Sequence, residues 1–363
     1  MTVSPLPGGP RRCRRGRQGR AQSDRYRRPV VTREGAGRIW LVVIVVLLVA
    51  ACEVSDNPGP STAIVAPVDV LDEGLEIIEA KAYFADRVDW QGVDEDASRL
   101  AQSDPSMVDV HRFLEDVLRD LGDRHSQLIT ADPSSRADTG DRPAGQVDDG
   151  VGYVHVPAIA TSDETAQAAY RDAGLEVLSG DACGWIVDVR LNGGGTIYPM
   201  FASIAPLLGP GAAVSYVERD GTELTISINK DGGVEAPDGT VLVSGAEPID
   251  ASEVEAPVAV LQHFSTASSG EGVVLALRNQ AGTRTFGTET RGVPTANDGF
   301  DLPDGSTLGL TIAVGTNANG RRYEGAIAPD EPVPYPASRR SDLVGDPVYE
   351  AAHGWLRQHP RCS

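Results

Sequence analysis

A serine can attack a carbonyl when a turn exposes it, a base takes its proton and N–H groups hold the oxyanion that forms. Residues 256–280, APVAVLQHFSTASSGEGVVLALRNQ, have the order of elements that exposes one. Val258-Ala259-Val260-Leu261 is an apolar run of the length of a buried strand, and Val273 to Arg278 reads as a helix. Between them lies a turn of small residues from Ser265 to Glu271, so the chain runs strand, tight turn, helix. Ser268 sits where free N–H groups and the helix dipole favour negative charge. The competing reading is that these residues only cap the helix, as Ser and Thr often do.

A base for Ser268 has few sources. The chain has only two lysines, Lys81 and Lys230, both in polar surroundings, which disfavours a Ser–Lys pair. Of six histidines, His111 lies in a helical stretch and His353 and His359 near the C-terminus. His155 and His263 lie in or beside expected core strands. His125 sits in a polar turn after a helix end, between Asp123 and Ser126, where a titrating group stays reachable. The run Asn192-Gly193-Gly194-Gly195 follows one expected strand and precedes a helix. Its glycines let the backbone approach a ligand and point N–H groups at it, yet it has neither a Gly-Lys-Ser/Thr phosphate loop nor a GxGxxG pattern.

These residues need a scaffold. Leu71, Leu75, Ile78, Tyr83 and Phe84 recur near helical spacing, with Val88-Asp89-Trp90 closing the segment. A second helix is expected from about Met107, with Val110, Leu114, Val117, Leu118 and Leu121 on one face and Gly122 ending it. Residues 131–149 read as a polar linker. After it, strands at 152–157 and 184–190 alternate with helices at 165–178 and 198–208, and hairpins fill 213–243. Strands near 283–287 and 306–314 follow the Ser268 segment. Such alternation is α/β. The expected organisation is a signal peptide with lipobox over 1–51, a tether over 52–68, a helical N-terminal domain over 69–130, a linker over 131–149, an α/β core over 150–335 and a C-terminal tail over 336–363.

The first 51 residues read as a targeting segment. Eleven arginines precede a thirteen-residue apolar run, Ile39 to Ala51, which suits a signal-peptide core better than a membrane span. Val49-Ala50-Ala51-Cys52 resembles the bacterial lipobox, in which the cysteine is lipidated; an uncleaved anchor is the alternative. Either exports the remainder, which holds 21 basic and 50 acidic residues, a net of −29. That charge repels phosphates and argues against nucleic acid as a partner. The exported compartment permits a disulfide between Cys183 and Cys362, although buried free cysteine is also common. No cysteine or histidine spacing resembles a zinc site.

The pieces follow a recognisable order: Leu121-Gly122-Asp123-Arg124-His125-Ser126, Gly152-Tyr153-Val154, Val187-Asp188-Val189-Arg190-Leu191-Asn192-Gly193-Gly194-Gly195, Thr266-Ala267-Ser268-Ser269-Gly270-Glu271, Gly287-Thr288-Glu289-Thr290-Arg291-Gly292, and Glu324-Gly325-Ala326-Ile327-Ala328-Pro329-Asp330. In that order, over about residues 70 to 335, the chain resembles the carboxy-terminal-processing (tail-specific) serine peptidase family, which includes the tricorn core and interphotoreceptor retinoid-binding modules. The resemblance implies a ClpP/crotonase-like ββα spiral core behind a small helical domain, with Ser268 as nucleophile. The lysine-using branch places its lysine after the Gly-Glu-x-x-x-Gly stretch; here Val293 follows Gly292. The chain is therefore more similar to the tricorn-type branch, with His125 as base and Glu324 as the glutamate that orients it. Tricorn has a serine before its histidine, and this chain has Arg124 there. Gly194 and Ser269 match the oxyanion-binding positions. No segment between His125 and Tyr153 is long enough for a PDZ domain. Taken with the lipobox, the resemblance implies a lipid-anchored serine endopeptidase on the outer face of the cell membrane, working through an acyl-enzyme on protein or peptide substrates, with no metal or cofactor. The rival is a non-catalytic ligand- or peptide-binding module on the same fold. An acyl-CoA enzyme is a third reading, opposed by export and acidic charge.

Overall fold

Buried parallel strands read as unbroken apolar runs, because both faces of their sheet are covered. Two such runs lie at the centre of the computed structural model, which describes residues 65–130, 140–249, 255–334, 343 and 345–363. The expected signal peptide, lipobox Cys52 and most of the tether lie outside the described residues.

The chain opens with helices α1 (Pro67–Lys81), α2 (Trp90–Gln102) and α3 (Met107–Asp120), followed by strand β1 (Gln127–Ile129). Strands β2 (Ala144–Asp148) and β3 (Val151–His155), helix α4 (Glu164–Leu178), strand β4 (Gly184–Asp188) and helices α5 (Ile197–Ser203) and α6 (Ala205–Leu208) come next. Four strands follow, β5 (Gly211–Glu218), β6 (Glu223–Ile228), β7 (Val234–Glu235) and β8 (Val241–Val243). Strand β9 (Val258–Gln262), helix α7 (Ser269–Arg278), strands β10 (Thr283–Gly287), β11 (Thr295–Asp301), β12 (Thr307–Thr316), β13 (Arg322–Tyr323) and β14 (Glu331–Pro332), and helix α8 (Pro347–Leu356) complete the described strands and α-helices.

One sheet has the order β14-β10-β9-β4-β3-β2. Its strands from β14 to β3 run parallel, and β2 closes the edge antiparallel to β3. Every residue of β4 and β9 is buried. Alternate residues serve different cores, as the two-residue period of a strand requires. Val187, Val258 and Val260 pack with α5 and α7, whereas Ile186, Ala259 and Leu261 pack with Val348, Ala352 and Leu356 of α8. The segment expected as a C-terminal tail thus contributes a helix to the sheet's second face. Asp346 caps that helix, accepting from the Val348 and Tyr349 amides, and its other oxygen holds Arg190. Arg190 also grips Asp188 (2.6 Å), so the acid and arginine of the Asp-x-Arg-x-Asn run form a buried ionic knot, not part of the reacting surface. Cys183 and Cys362 form a disulfide that ties the last residues to the start of β4.

The other sheet is antiparallel and centres on the long β12, which pairs with β1, β5, β11 and β13. The helical segment does not stand apart from it. Val70, Leu71, Ile78, Leu114 and Leu118 share one core with Leu308, Leu310 and Val314 of β12. A Cβ at Gly74 would lie 2.9 Å from Leu114, so α1 and α3 approach closely there. Ser106 and Asp109 cap α3 reciprocally. At its far end Gly122 takes a φ of 74° and turns the chain toward His125. Residue 125 is thus carried to the edge of β12 by β1, two residues later.

Three elements differ from expectation. Trp90 begins α2 and does not close a segment; Asp89 caps it, accepting from the Gly92 amide (3.3 Å). Strand β2 lies inside the expected linker, and β11 fills a stretch for which no element was expected. Among the described residues no helix is long and apolar enough to cross a membrane.

Candidate active site

The carboxyl ends of neighbouring parallel strands are where loops of an α/β sheet converge. Here β4 runs into the glycine-rich loop and β9 into the Ser268 turn, with Asp188 level with Leu261. The two loops are stitched together. The Ala267 amide donates to the Asn192 carbonyl (2.9 Å), and the Thr266 hydroxyl donates to the Val189 carbonyl (2.9 Å). A Cβ at Gly270 would lie 2.6 Å from the Asn192 oxygen, so only glycine fits that approach.

Ser268 adopts φ 53° and ψ −121°, a left-handed conformation that costs a residue with a side chain about 1–3 kcal/mol. The turn is held by backbone groups. The Ser268 amide donates to Glu271 Oε2 (2.9 Å), while its carbonyl accepts from the Glu271 (2.8 Å) and Gly272 (3.0 Å) amides. Arg124, directly before His125, is also left-handed, with φ 57°.

Gly194 comes against the nucleophile. At φ 103°, a Cβ there would stand 2.7 Å from the Ser268 Cβ and 3.2 Å from its Oγ. The Gly194 amide itself donates to Asn192 Oδ1 (2.9 Å), so in this conformation it is committed to that side chain and not turned to an incoming oxyanion. Ser269 stands at the first position of α7, its hydroxyl on the Gly195 carbonyl (2.6 Å). Its N–H belongs to the first turn of a helix, where amides lack partners within the helix.

His125 is fixed from two sides. Its amide donates to Asp123 Oδ1 (3.0 Å), and its Nδ1 lies 2.6 Å from the hydroxyl of Thr295, the buried first residue of β11. Where the Thr295 hydroxyl donates onward to Asn297 Oδ1 (3.4 Å), it accepts from Nδ1–H in one tautomer of the ring. That tautomer puts the lone pair on Nε2, as a base requires. Thr295 and Ser268 line the same cavity of about 420 Å3, whose wall is mainly aromatic and aliphatic: Ile197, Tyr198, Tyr216, Leu224, Ile226 and Ile312. A separate cavity of about 500 Å3, along α4, α6 and residues 231–249, contains none of the expected site residues.

Glu324 is placed differently from the expectation. Its carboxylate pairs with Arg87 (3.1 Å), both side chains being about half exposed. Arg87 is itself held by the Leu121 carbonyl and by the ring of Phe84. The contact expected from Glu324, on the base, is made at Nδ1 by Thr295, a residue that carried no signal in the sequence. Glu271 was legible only as a small-turn residue, although Ser268-x-x-Glu271 has capping-box spacing. It is fully buried, and burial pushes its pKa up against the pull of four hydrogen bonds.

With this geometry described, similarity to known proteins can be set beside it. The sequence pattern of Peptidase family S41 matches residues 150–333. The Nisin-resistance protein of Lactococcus lactis subsp. lactis is 24% identical over 270 residues, 73% of this chain and 83% of that protein. The Carboxyl-terminal-processing protease of Synechocystis sp. is 27% identical over 232 residues, 62% of this chain and 47% of that protein, so this chain spans less than half its length. Among solved structures, a lipoprotein from Streptococcus agalactiae superimposes with a TM-score of 0.64 at 20% identity, covering 81% of this chain and 96% of that one. The photosystem II D1 C-terminal processing protease gives 0.52 at 15% identity, covering 83% and 100%. At those identities the structural likeness establishes the fold.

Proposed function

Because the chain belongs to peptidase family S41 and is a serine-type peptidase, we propose that it is an exported, lipid-anchored endopeptidase that cleaves through an acyl-enzyme on Ser268. The observation that carries this reading is the left-handed Ser268 turn, pressed against Gly194, beside a cavity whose rim residue Thr295 holds His125. Nε2 of His125 takes the hydroxyl proton as Oγ attacks the scissile carbonyl, then returns it to the leaving amine. Water deacylates the enzyme by the same route. The Ser269 N–H serves the oxyanion, and Gly194 joins it once its amide leaves Asn192. The apolar cavity suits a large apolar side chain next to the scissile bond.

Thr295 orients the base in this reading, and Glu324 belongs to a surface ion pair. Thr295→Val keeps the shape and removes the hydroxyl. It is expected to lower kcat about tenfold or more with KM little changed. Glu324→Gln is expected to change kcat less than about threefold, since exposed pairs contribute little. The reverse order would return the orienting role to Glu324.

Export is supported by Val49-Ala50-Ala51-Cys52 after an apolar run, and by a Cys183–Cys362 disulfide that suits an oxidising compartment. The functional test has two arms. Mass spectrometry of the membrane fraction should find an acylated N-terminal Cys52, and an intact 1–51 segment on the mature protein would contradict it. The purified protein should cut peptides internally, beside apolar residues; nisin is one to include, given the relative that bears its name. Release of single terminal residues alone would contradict the endopeptidase reading.

A further inference from the structure

A helix cap needs one side-chain acceptor at the first turn. Glu271 does more than this. Its Oε2 accepts from the Ser268 amide (2.9 Å) and from the Val293 amide (2.9 Å). Its Oε1 accepts from the Gly292 amide (2.9 Å) and from the Thr290 hydroxyl. Three of the four donors thus come from a segment about twenty residues further along the chain. All four are dipoles, and the carboxylate is fully buried. Burying a charge with dipoles for partners is costly, and every one of those bonds is needed to offset it.

The bonds continue beyond Val293. Its carbonyl accepts from the Thr295 amide (2.8 Å), and the Thr295 hydroxyl meets His125 Nδ1 (2.6 Å). An unbroken path therefore runs from the nucleophile's amide through Glu271, Val293 and Thr295 to the imidazole. A second tie runs beside it, from the Arg291 amide to the Thr266 carbonyl (2.9 Å). The Thr290 hydroxyl, while donating to Glu271, accepts from the Ile327 amide (2.9 Å), which anchors the segment from its other side.

We propose that Glu271 is a positioning residue: its carboxylate fixes the Ser268 turn and the 290–295 segment in one frame and so sets nucleophile and base relative to each other. The inference rests on the Ser268–His125 reading. It makes a specific demand on the side chain. All four acceptor directions face donors, so glutamine, whatever its amide orientation, turns an NH2 group toward two of them. One orientation opposes the Ser268 and Val293 amides. The other opposes the Gly292 amide and a Thr290 hydroxyl that already accepts from Ile327.

The test compares the full-length protein with Glu271→Gln and with the milder Thr290→Val, which removes one donor and keeps the volume. Three quantities are read: the fluorophosphonate labelling rate at saturating probe, KM for a peptide, and the His125 imidazole NMR signals. Loss of frame by an ångström costs about a hundredfold in rate. Glu271→Gln is expected to label about a hundredfold more slowly, and Thr290→Val about tenfold, with KM within about twofold and the His125 signals displaced. A cap alone would lower the melting temperature and leave the His125 signals in place. Should Glu271→Gln not fold, Thr290→Val decides. A folded variant that labels at the wild-type rate with His125 signals unmoved overturns the inference alone. A wild-type protein that does not label overturns the Ser268 reading and this inference with it.

Discussion

Ser268→Ala is expected to abolish covalent labelling and to lower peptide turnover about ten-thousandfold or more, with the fold intact. The size follows from what is removed. The hydroxyl forms the acyl bond, so its removal takes away the covalent step itself. The turn should survive, because the Ser268 amide and carbonyl both hold it. Alanine meets the same left-handed φ that serine already tolerates. Circular dichroism and peptide binding should therefore match the wild type while turnover does not. Retained turnover would move the nucleophile elsewhere.

His125→Ala is expected to lower kcat about a thousandfold or more, with substrate binding largely kept. Its ring contacts Thr295 and the residue is only partly buried, so stability should change little. The double variant Ser268→Ala, His125→Ala should be hardly worse than either single one, because the two act as a unit. In the wild type, kcat/KM should fall as acid protonates the base, since an imidazolium cannot accept the Ser268 proton. Val293→Lys should not rescue His125→Ala. Val293 is buried, and its amide is already spent on Glu271.

The parts of the fold that were legible are those whose pattern is local. Val258 to Leu261 and Gly184 to Asp188 declare buried strands by composition alone, and the Ser106–Gly122 helix declares both its ends. The missed elements have weak local signals. TANDGFD of β11 alternates too little to read as a strand, and AGQVD of β2 is exposed along its whole length. Two further elements were readable. Asp89 followed by Val93, Ala97 and Leu100 is a capped helix, and Asp346-Pro347 followed by Val348, Ala352 and Leu356 is another.

The site divides in the same way. Ser268, Ser269 and Gly194 sit in contiguous motifs, and the sequence places them at strand ends. The partners of His125 and Glu324 do not, because 170 residues separate His125 from Thr295 and 237 separate Arg87 from Glu324. Nothing in either local stretch encodes those pairings; the first arises from β1 and β11 meeting on β12, and the second joins the segment after α1 to the residue after β13, which also pairs with β12. The partner of the Gly194 amide, by contrast, is local: the buried side chain of Asn192 two residues earlier.

The most direct test of the central claim is to treat the mature protein with a fluorophosphonate and map the adduct by tandem mass spectrometry. One adduct on Ser268, lost in His125→Ala and on acid denaturation before treatment, is the predicted result. An adduct on a different serine, or none on a folded protein that cleaves peptides, would contradict it.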